Sequence, residues 1–100
     1  MWPFRGSING TVLSQQQDLP MVIDSFSLVN MTGGTVGANV YMINNNIQVA
    51  VMPNNYQINA GAIYEHTRGV VMRKNEQIKL VTTGQVDYDF TISNLPTDDI

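Results

Sequence analysis

Two aspartates come nearest, of all the residues in this chain, to the spacing of a chemical site. Asp87 and Asp89 stand two positions apart in an alternating segment, so both carboxylates project from one strand face, roughly 7 Å apart. Together with Asp24, or with the acidic residues 98–99, they would offer ligands to Ca²⁺, which takes about six to eight oxygens. Paired carboxylates also carry out the acid–base chemistry of glycosidases. Because two carboxylates alone supply too few ligands, the sequence predicts a solvated strand face and no tightly bound metal ion.

The other reactive residue types lack the partners that catalysis requires. His66 is the single histidine, and its neighbour Glu65 would point to the opposite face of a strand. Segment 32–37 (Thr-Gly-Gly-Thr-Val-Gly) lacks the Gly-Lys-Ser/Thr ending of a phosphate loop, and no serine lies in a Gly-x-Ser-x-Gly motif. The absence of cysteine excludes disulfides, thiolate metal sites and a cysteine nucleophile. The sequence therefore predicts that the protein is not an enzyme, and that it has no catalytic residue and no cofactor.

The polarity of the chain comes mainly from uncharged side chains. Charged residues make up 13% of the 100 residues, against about 25% in ordinary soluble domains. Eleven asparagines and seven glutamines supply amides instead. Amides lose less free energy than charges do when they are buried, so such a surface suits contact with a partner. The same composition also fits an ordinary β-protein surface, since Thr favours strands and Asn favours turns.

The charge distribution and hydropathy of the sequence exclude two classes of partner. The net charge is −3, and the five basic residues are scattered, whereas a nucleic-acid-binding protein carries a basic stripe. No window approaches the ~20 apolar residues of a membrane span, and the first residues lack the apolar run of a signal peptide. We expect neither nucleic acid nor a membrane as partner. The patterns Asn9-Gly10-Thr11 and Asn30-Met31-Thr32 fit glycosylation, but we interpret both as chance matches.

Three aromatic residues stand outside clear core positions and are the candidate partner contacts. They are Trp2 and Phe4 near the start of the chain and Tyr56 in the irregular stretch 53–61. Aromatic side chains in such segments often anchor protein–protein contacts. The alternative is that Trp2 and Phe4 fold back onto the chain's own core. We expect Trp2 and Phe4 to contact a partner.

The elements that position these residues are predicted to be β-strands. In segment 86–93, large apolar residues alternate with Asp, Thr and Ser, which is typical of an antiparallel strand with one face in the core. Similar short segments recur every 8–12 residues or so, and no helical periodicity occurs. The predicted core consists of Phe26, Leu28, Val40, Ile47, Val49, Val51, Ile78, Leu80, Tyr88, Phe90 and Ile92.

This pattern predicts an all-β fold, an antiparallel β-sandwich of about seven or eight strands, with jelly-roll and immunoglobulin-like topologies both open. Residues 1–20 show weak alternation and are predicted to form an extended N-terminal arm. Residues 21–95 form the predicted sandwich domain, and residues 96–100 a frayed tail.

From residue 25 to residue 94 the chain resembles the small β-sandwich structural proteins of tailed-bacteriophage particles, such as capsid decoration (cement) proteins and neck or head-fibre modules. The resemblance lies in the order of segments 25–30 (Ser-Phe-Ser-Leu-Val-Asn), 39–43 (Asn-Val-Tyr-Met-Ile), 53–56 (Pro-Asn-Asn-Tyr), 60–64 (Ala-Gly-Ala-Ile-Tyr) and 77–94. It implies a virion protein assembled in the host cytoplasm. Proteins of this kind bind the major capsid protein or a neighbouring virion protein, commonly as trimers or symmetric rings.

The leading hypothesis is therefore a non-enzymatic virion structural protein, and more specifically a capsid decoration protein that forms a homo-oligomer. The alternative is a glycan- or receptor-binding module of a phage fibre or adhesin, or a neck or tail structural protein. A glycan site requires an aromatic platform beside amide groups. The sequence offers Tyr41, Tyr56 and Tyr64 with Asn54 and Asn55 for this purpose.

Overall fold

A computed structural model describes residues 4–16 and 18–94, and these residues form ten β-strands without a helix. The prediction of an all-β antiparallel sandwich is confirmed, with more strands than expected. The strands are β1 (Phe4–Ile8), β2 (Thr11–Leu13), β3 (Met21–Asn30), β4 (Val36–Asn44), β5 (Ile47–Ala50), β6 (Tyr56–Ile58), β7 (Ile63–His66), β8 (Val70–Met72), β9 (Gln77–Thr82) and β10 (Val86–Asn94).

The strands are arranged as two antiparallel sheets with jelly-roll topology. Sheet A has the order β1-β10-β3-β7, with β8 also paired to β3, and sheet B has the order β2-β9-β4-β5, with β6 also paired to β4. If β5–β6 and β7–β8 are each counted as one interrupted strand, eight strands remain and the orders become 1-8-3-6 and 2-7-4-5. Each sheet then combines strands from both ends of the chain, which is the winding of a double-sheet jelly roll and not of an immunoglobulin fold.

Alternation of apolar and polar residues determines which side of each strand faces the core. In β3, Phe26 and Leu28 are buried while Ser25 and Ser27 are only partly so. The register between β10 and β3 shifts next to Asp24. Ile23 therefore also faces inward, although strict alternation from Phe26 would place it on the outer face. This bulge keeps Met21 and Ile23 in the core together with Phe26 and Leu28.

The core lies between the two sheets and agrees with most of the predicted residues. Phe26, Leu28, Val40, Ile78, Leu80, Phe90 and Ile92 are buried. Val51 and Tyr88 are half-buried and pack against this core. The prediction was wrong for Ile47 and Val49, which are 68% and 57% exposed. Val49 lies opposite the buried Met42 and shares its face, but β5 is the last strand of sheet B and sheet A does not extend over it.

The segment predicted as an extended arm contributes two strands to the sandwich. β1 pairs with β10, placing Phe4 opposite Phe90, and β2 pairs with β9, placing Val12 opposite Leu80. The chain passes from one sheet to the other at Gly10, whose φ of 127° is one that residues with a side chain rarely adopt. The weak alternation of this segment reflects two short edge strands in different sheets. Residues 96–100, predicted as a frayed tail, lie outside the described residues.

One buried polar side chain ties three connections together. Asn30, at the end of β3, is 1% exposed. Its Nδ2 donates to the carbonyl oxygens of Gly34, Ile58 and Asn59 at 2.7, 2.8 and 3.1 Å. Its Oδ1 accepts from the N–H and the hydroxyl of Thr32, both at 2.8 Å. The Asn30-Met31-Thr32 pattern therefore serves the fold, with the amide enclosed by backbone.

Candidate functional site

One side of the sandwich carries most of the exposed apolar side chains, and we call it the β5–β8 side. It consists of the four short strands β5 to β8, which form the edges of both sheets opposite the β1–β2 edge. Among the described residues, eight large apolar side chains are exposed, and five of them belong to these strands. These five are Ile47, Val49, Tyr56, Ile63 and Val71. The concentration matters because apolar residues scattered singly over a surface need no explanation, whereas a group does.

A cleft of about 300 Å³ lies between the two sheets on this side, and we call it the edge cleft. Met42, Val49 and Val51 of sheet B and its following loop line one wall. His66 and Val70 line the other wall. The cleft lies beside the places where the edge strands are interrupted, between β5 and β6 and between β7 and β8.

The single histidine lies on the inner face of sheet A and forms part of this cleft. The His66 ring stacks on Phe26 with centroids 4.7 Å apart, and its Nδ1 lies 3.1 Å from the Tyr64 hydroxyl. Its Nε2 is buried and has no hydrogen-bond partner among the described residues. Burial and, secondarily, the charge of Arg68 lower the pKa of His66, so the ring is neutral at pH 7. β7 turns this side chain inward because it pairs with β3, where His66 lies opposite the buried Phe26.

The mouth of the edge cleft is cationic. Arg68 and Arg73 both line it, and the one carboxylate there is that of Glu76. The Glu76 Oε1 accepts a hydrogen bond from the backbone N–H of Arg73 at 2.6 Å. Within residues 4–16 and 18–94, the only ion pair joins Arg5 and Asp89 on a different face, so neither arginine of the cleft has an acidic partner there.

The outer edge of β5 offers unpaired backbone groups beside the cleft. Asn44 and Ile47 flank the two-residue turn between β4 and β5, and Val51 N–H donates to the Val40 carbonyl at 2.9 Å. In an antiparallel ladder, hydrogen-bonded pairs alternate with pairs that are not hydrogen-bonded. Ile47 and Val51 are hydrogen-bonded to β4, and so is Val49 between them. The N–H and C=O groups of the intervening residues Gln48 and Ala50 therefore point away from β4. β5 contains neither a charged residue nor a proline, the usual protections of an edge strand.

The two aspartates do share one face, as predicted, but each already has a partner. The Ser7 hydroxyl donates to Asp87 at 2.6 Å, and Arg5 lies 3.5 Å from Asp89. Asp24 accepts from the Ser93 hydroxyl at 2.7 Å. No group of three or more potential ligand side chains that could hold a metal ion occurs in the described part of the chain. This outer face of sheet A forms an open concavity of about 500 Å³.

The three predicted partner contacts have different outcomes. Trp2 lies outside the described residues. Phe4 is only 7% exposed and packs on Tyr88 and Phe90 at centroid distances of 5.0 and 5.2 Å, so its assignment as a partner contact was wrong. Phe4 faces inward because β1 pairs in register with β10. Tyr56 is 39% exposed on the β5–β8 side, and its role as a partner contact stays a prediction.

The aromatic platform proposed for a glycan is divided between two places. Tyr56 and Tyr64 meet across the sheets with centroids 4.7 Å apart. Tyr41 lies on the outer face of sheet B, where its hydroxyl donates to Asn54 at 3.2 Å. The three rings therefore do not form one surface.

Sequence reasoning missed the edge cleft, although one signal pointed to it. Segment 47–58 belongs to the uncharged run 25–64, and segment 68–76 holds three basic residues. Alternation assigns a side chain to a face, but only the sheet topology shows that these two segments form opposite walls.

Comparison with protein-family models, with curated proteins and with solved structures gave no match. The described part of the chain contains no helix capable of spanning a membrane.

Proposed function

We propose that this chain is a non-enzymatic structural protein of a tailed-phage virion, of the capsid-decoration type, which self-associates and binds the capsid through its β5–β8 side. The observation that carries the proposal is the concentration of exposed apolar side chains on that side. An excess of exposed apolar side chains on one side of a domain indicates an interaction surface. The resemblance to small phage β-sandwich proteins supplies the class of assembly and the location in the virion.

The chemistry of the edge strands supports assembly through this side. β5 and β6 carry no charged residue, and β8 carries none either. A partner that covers these strands therefore removes few charges from water, which keeps the desolvation cost low. The unpaired backbone groups of β5 add directional hydrogen bonds to such a contact.

Paired surface variants test the proposal. Ile47→Ser with Val49→Ser removes the apolar character of β5, and we expect the double variant to lose self-association in light scattering and co-sedimentation with purified capsids. The matched control is Leu13→Ser with Leu19→Ser, which removes two exposed leucines outside strands β5 to β8 and should leave both properties unchanged. A wild-type protein that is monomeric at high concentration and does not sediment with capsids would refute the proposal.

A second candidate function is the binding of a glycan on sheet A, favoured by the 500 Å³ concavity there. Its lining brings together the polar groups of Ser7, Ser27, Asp87 and Asp89. Carboxylate and hydroxyl groups of this kind suit hydrogen bonds to the hydroxyls of a sugar. Specific binding on a glycan array that is lost in Asp87→Asn would establish this function in place of the first.

A further inference from the structure

The edge cleft combines two features that a peptide strand would need. On the sheet B wall, the N–H and C=O groups of Gln48 and Ala50 are free to form a ladder with an added strand. An added strand would also place every second side chain against Val49 and Met42, which line the cleft. The interior of the cleft is therefore apolar, while its edge is a hydrogen-bonding template.

The opposite wall sets the charge of the segment that fits. Arg68 and Arg73 lie at this wall, whereas the chain as a whole has a net charge of −3. Glu76 is the single acid of the lining, and its carboxylate is already engaged with the Arg73 backbone. A guanidinium group binds a carboxylate with two parallel hydrogen bonds, which no neutral side chain provides.

His66 adds an unsatisfied polar atom to the same wall. Its Nδ1 shares a hydrogen bond with the Tyr64 hydroxyl, and the tautomer of the ring decides which of the two groups donates. Nε2 is buried and has no hydrogen-bond partner within the described residues. Leaving such an atom unpaired is costly, and a hydrogen-bonding group supplied by a ligand in the cleft would remove the cost.

We infer that the edge cleft binds an extended acidic segment of another protein, which adds as a strand to β5. Every second side chain of this segment points into the cleft. These inward side chains are alternately apolar and acidic, and the carboxylates are directed toward Arg68 and Arg73. This inference rests on the proposed role of the β5–β8 side as an interaction surface. It specifies the partner as a chain with acidic and apolar residues spaced two apart.

A second copy of this chain does not meet the same requirements. The free-edge strands that it offers are β1, β2 and β5 to β8. Only β7 among these contains a carboxylate, that of Glu65, and β7 itself forms the wall of the cleft. Charge complementarity therefore favours a different protein as the occupant.

The probe is a fluorescein-labelled octapeptide with threonine at every second position and aspartate and valine alternating between them. Binding to the full chain is measured by fluorescence polarisation, and the control peptide has lysine in place of aspartate. We expect the acidic peptide to bind and the lysine peptide not to bind. Arg68→Gln and Arg73→Gln should each weaken binding about tenfold, as the loss of one charge-assisted hydrogen-bonded pair implies. Arg5→Gln removes the same charge on a different face and should change nothing.

Backbone resonances provide a second measurement. In a titration with the acidic peptide, we expect the amide signals of Gln48 and Ala50 to shift more than that of Val49, whose N–H already faces β4. Equal affinity for the lysine peptide, unchanged binding in both cleft variants, or shifts confined to sheet A would overturn the inference. Peptide binding that tightens tenfold or more in a chain ending at Asn94 would also overturn it, since residues 95–100 would then be the occupant. Peptide binding by a protein that neither self-associates nor sediments with capsids would refute the proposed function alone.

Discussion

The buried amide of Asn30 provides the sharpest test of how this fold is held together. Asn30→Asp keeps the shape of the side chain but removes both N–H donors. The carbonyl oxygens of Gly34, Ile58 and Asn59, which lie 2.7 to 3.1 Å from Nδ2, would then face a carboxylate oxygen. The contacts from Thr32 to Oδ1 would remain. The substitution therefore isolates the donor side of the network.

The expected loss of stability follows from these contacts. A typical hydrogen bond contributes about 1 kcal/mol net, and a buried group left unpaired costs about 1–3 kcal/mol. Three carbonyls that lose their donor, together with a charge in a site 1% exposed, should destabilise the fold by at least about 4 kcal/mol at pH 7. That is a large share of the roughly 5–15 kcal/mol that holds a domain folded.

Urea denaturation at two pH values measures this loss and identifies its cause. Burial raises the pKa of the introduced carboxyl group, so at pH 4 it is protonated in the fold and again donates one hydrogen bond. We therefore expect Asn30→Asp to be less destabilised at pH 4 than at pH 7, each relative to wild type at the same pH. Asn54→Asp, in an exposed loop, should stay within about 0.5 kcal/mol of wild type. A loss below 1 kcal/mol for Asn30→Asp would show that the network does not stabilise the fold.

Four further outcomes are expected. Phe90→Ala should cost about 3–5 kcal/mol in urea denaturation, since its buried ring stacks on Phe26 at 4.6 Å; a melting temperature near that of wild type would disprove this. Ile47→Ser should cost less than about 0.5 kcal/mol, because its side chain is exposed already. The lowered pKa of His66 means that the unfolded chain binds a proton more readily. Thermal stability should therefore be unaffected by this residue above about pH 7 and decline as pH falls through about 6.5, a decline that His66→Gln should remove. Millimolar Ca²⁺ should leave the melting temperature unchanged, and a rise reversed by chelator would contradict this.

Periodicity predicted the fold class because strands of a sandwich display their buried face directly in the sequence. In segments 25–28 and 86–93 the alternation is regular, and the structure buries Phe26, Leu28 and Phe90 as expected. The same rule failed at Ile47 and Val49, because alternation identifies a face but not whether another sheet covers it. Whether strand order is that of a jelly roll depends on pairing between distant segments, which periodicity does not report.

The N-terminal segment and Asn30 show two other limits. β1 and β2 are short, and Gly6 interrupts the alternation of β1, so the local pattern could not reveal that they complete two different sheets. Asn30 lies two residues after Leu28 and therefore on the same inward face of the strand. Its position in the sequence could thus have indicated that it is buried. Its amide network nevertheless joins segments far apart in the chain, and only the assembled fold shows that a polar group is satisfied there. The edge cleft escaped prediction for the same reason.

The pairing of β1 with β10 and of β2 with β9 also determines when the two sheets can form during synthesis. Phe4 finds its partner only after Phe90 has been synthesised, and Val12 only after Leu80, so neither sheet can be completed before β9 and β10 have left the ribosome. Such long-range pairing slows folding toward the millisecond-to-second range typical of β-sandwiches. During that interval the central strands β3 and β4 expose apolar faces and open edges, which favours aggregation. The conditions of synthesis, and the supply of chaperones above all, should therefore determine the yield of folded protein more strongly than its final stability does.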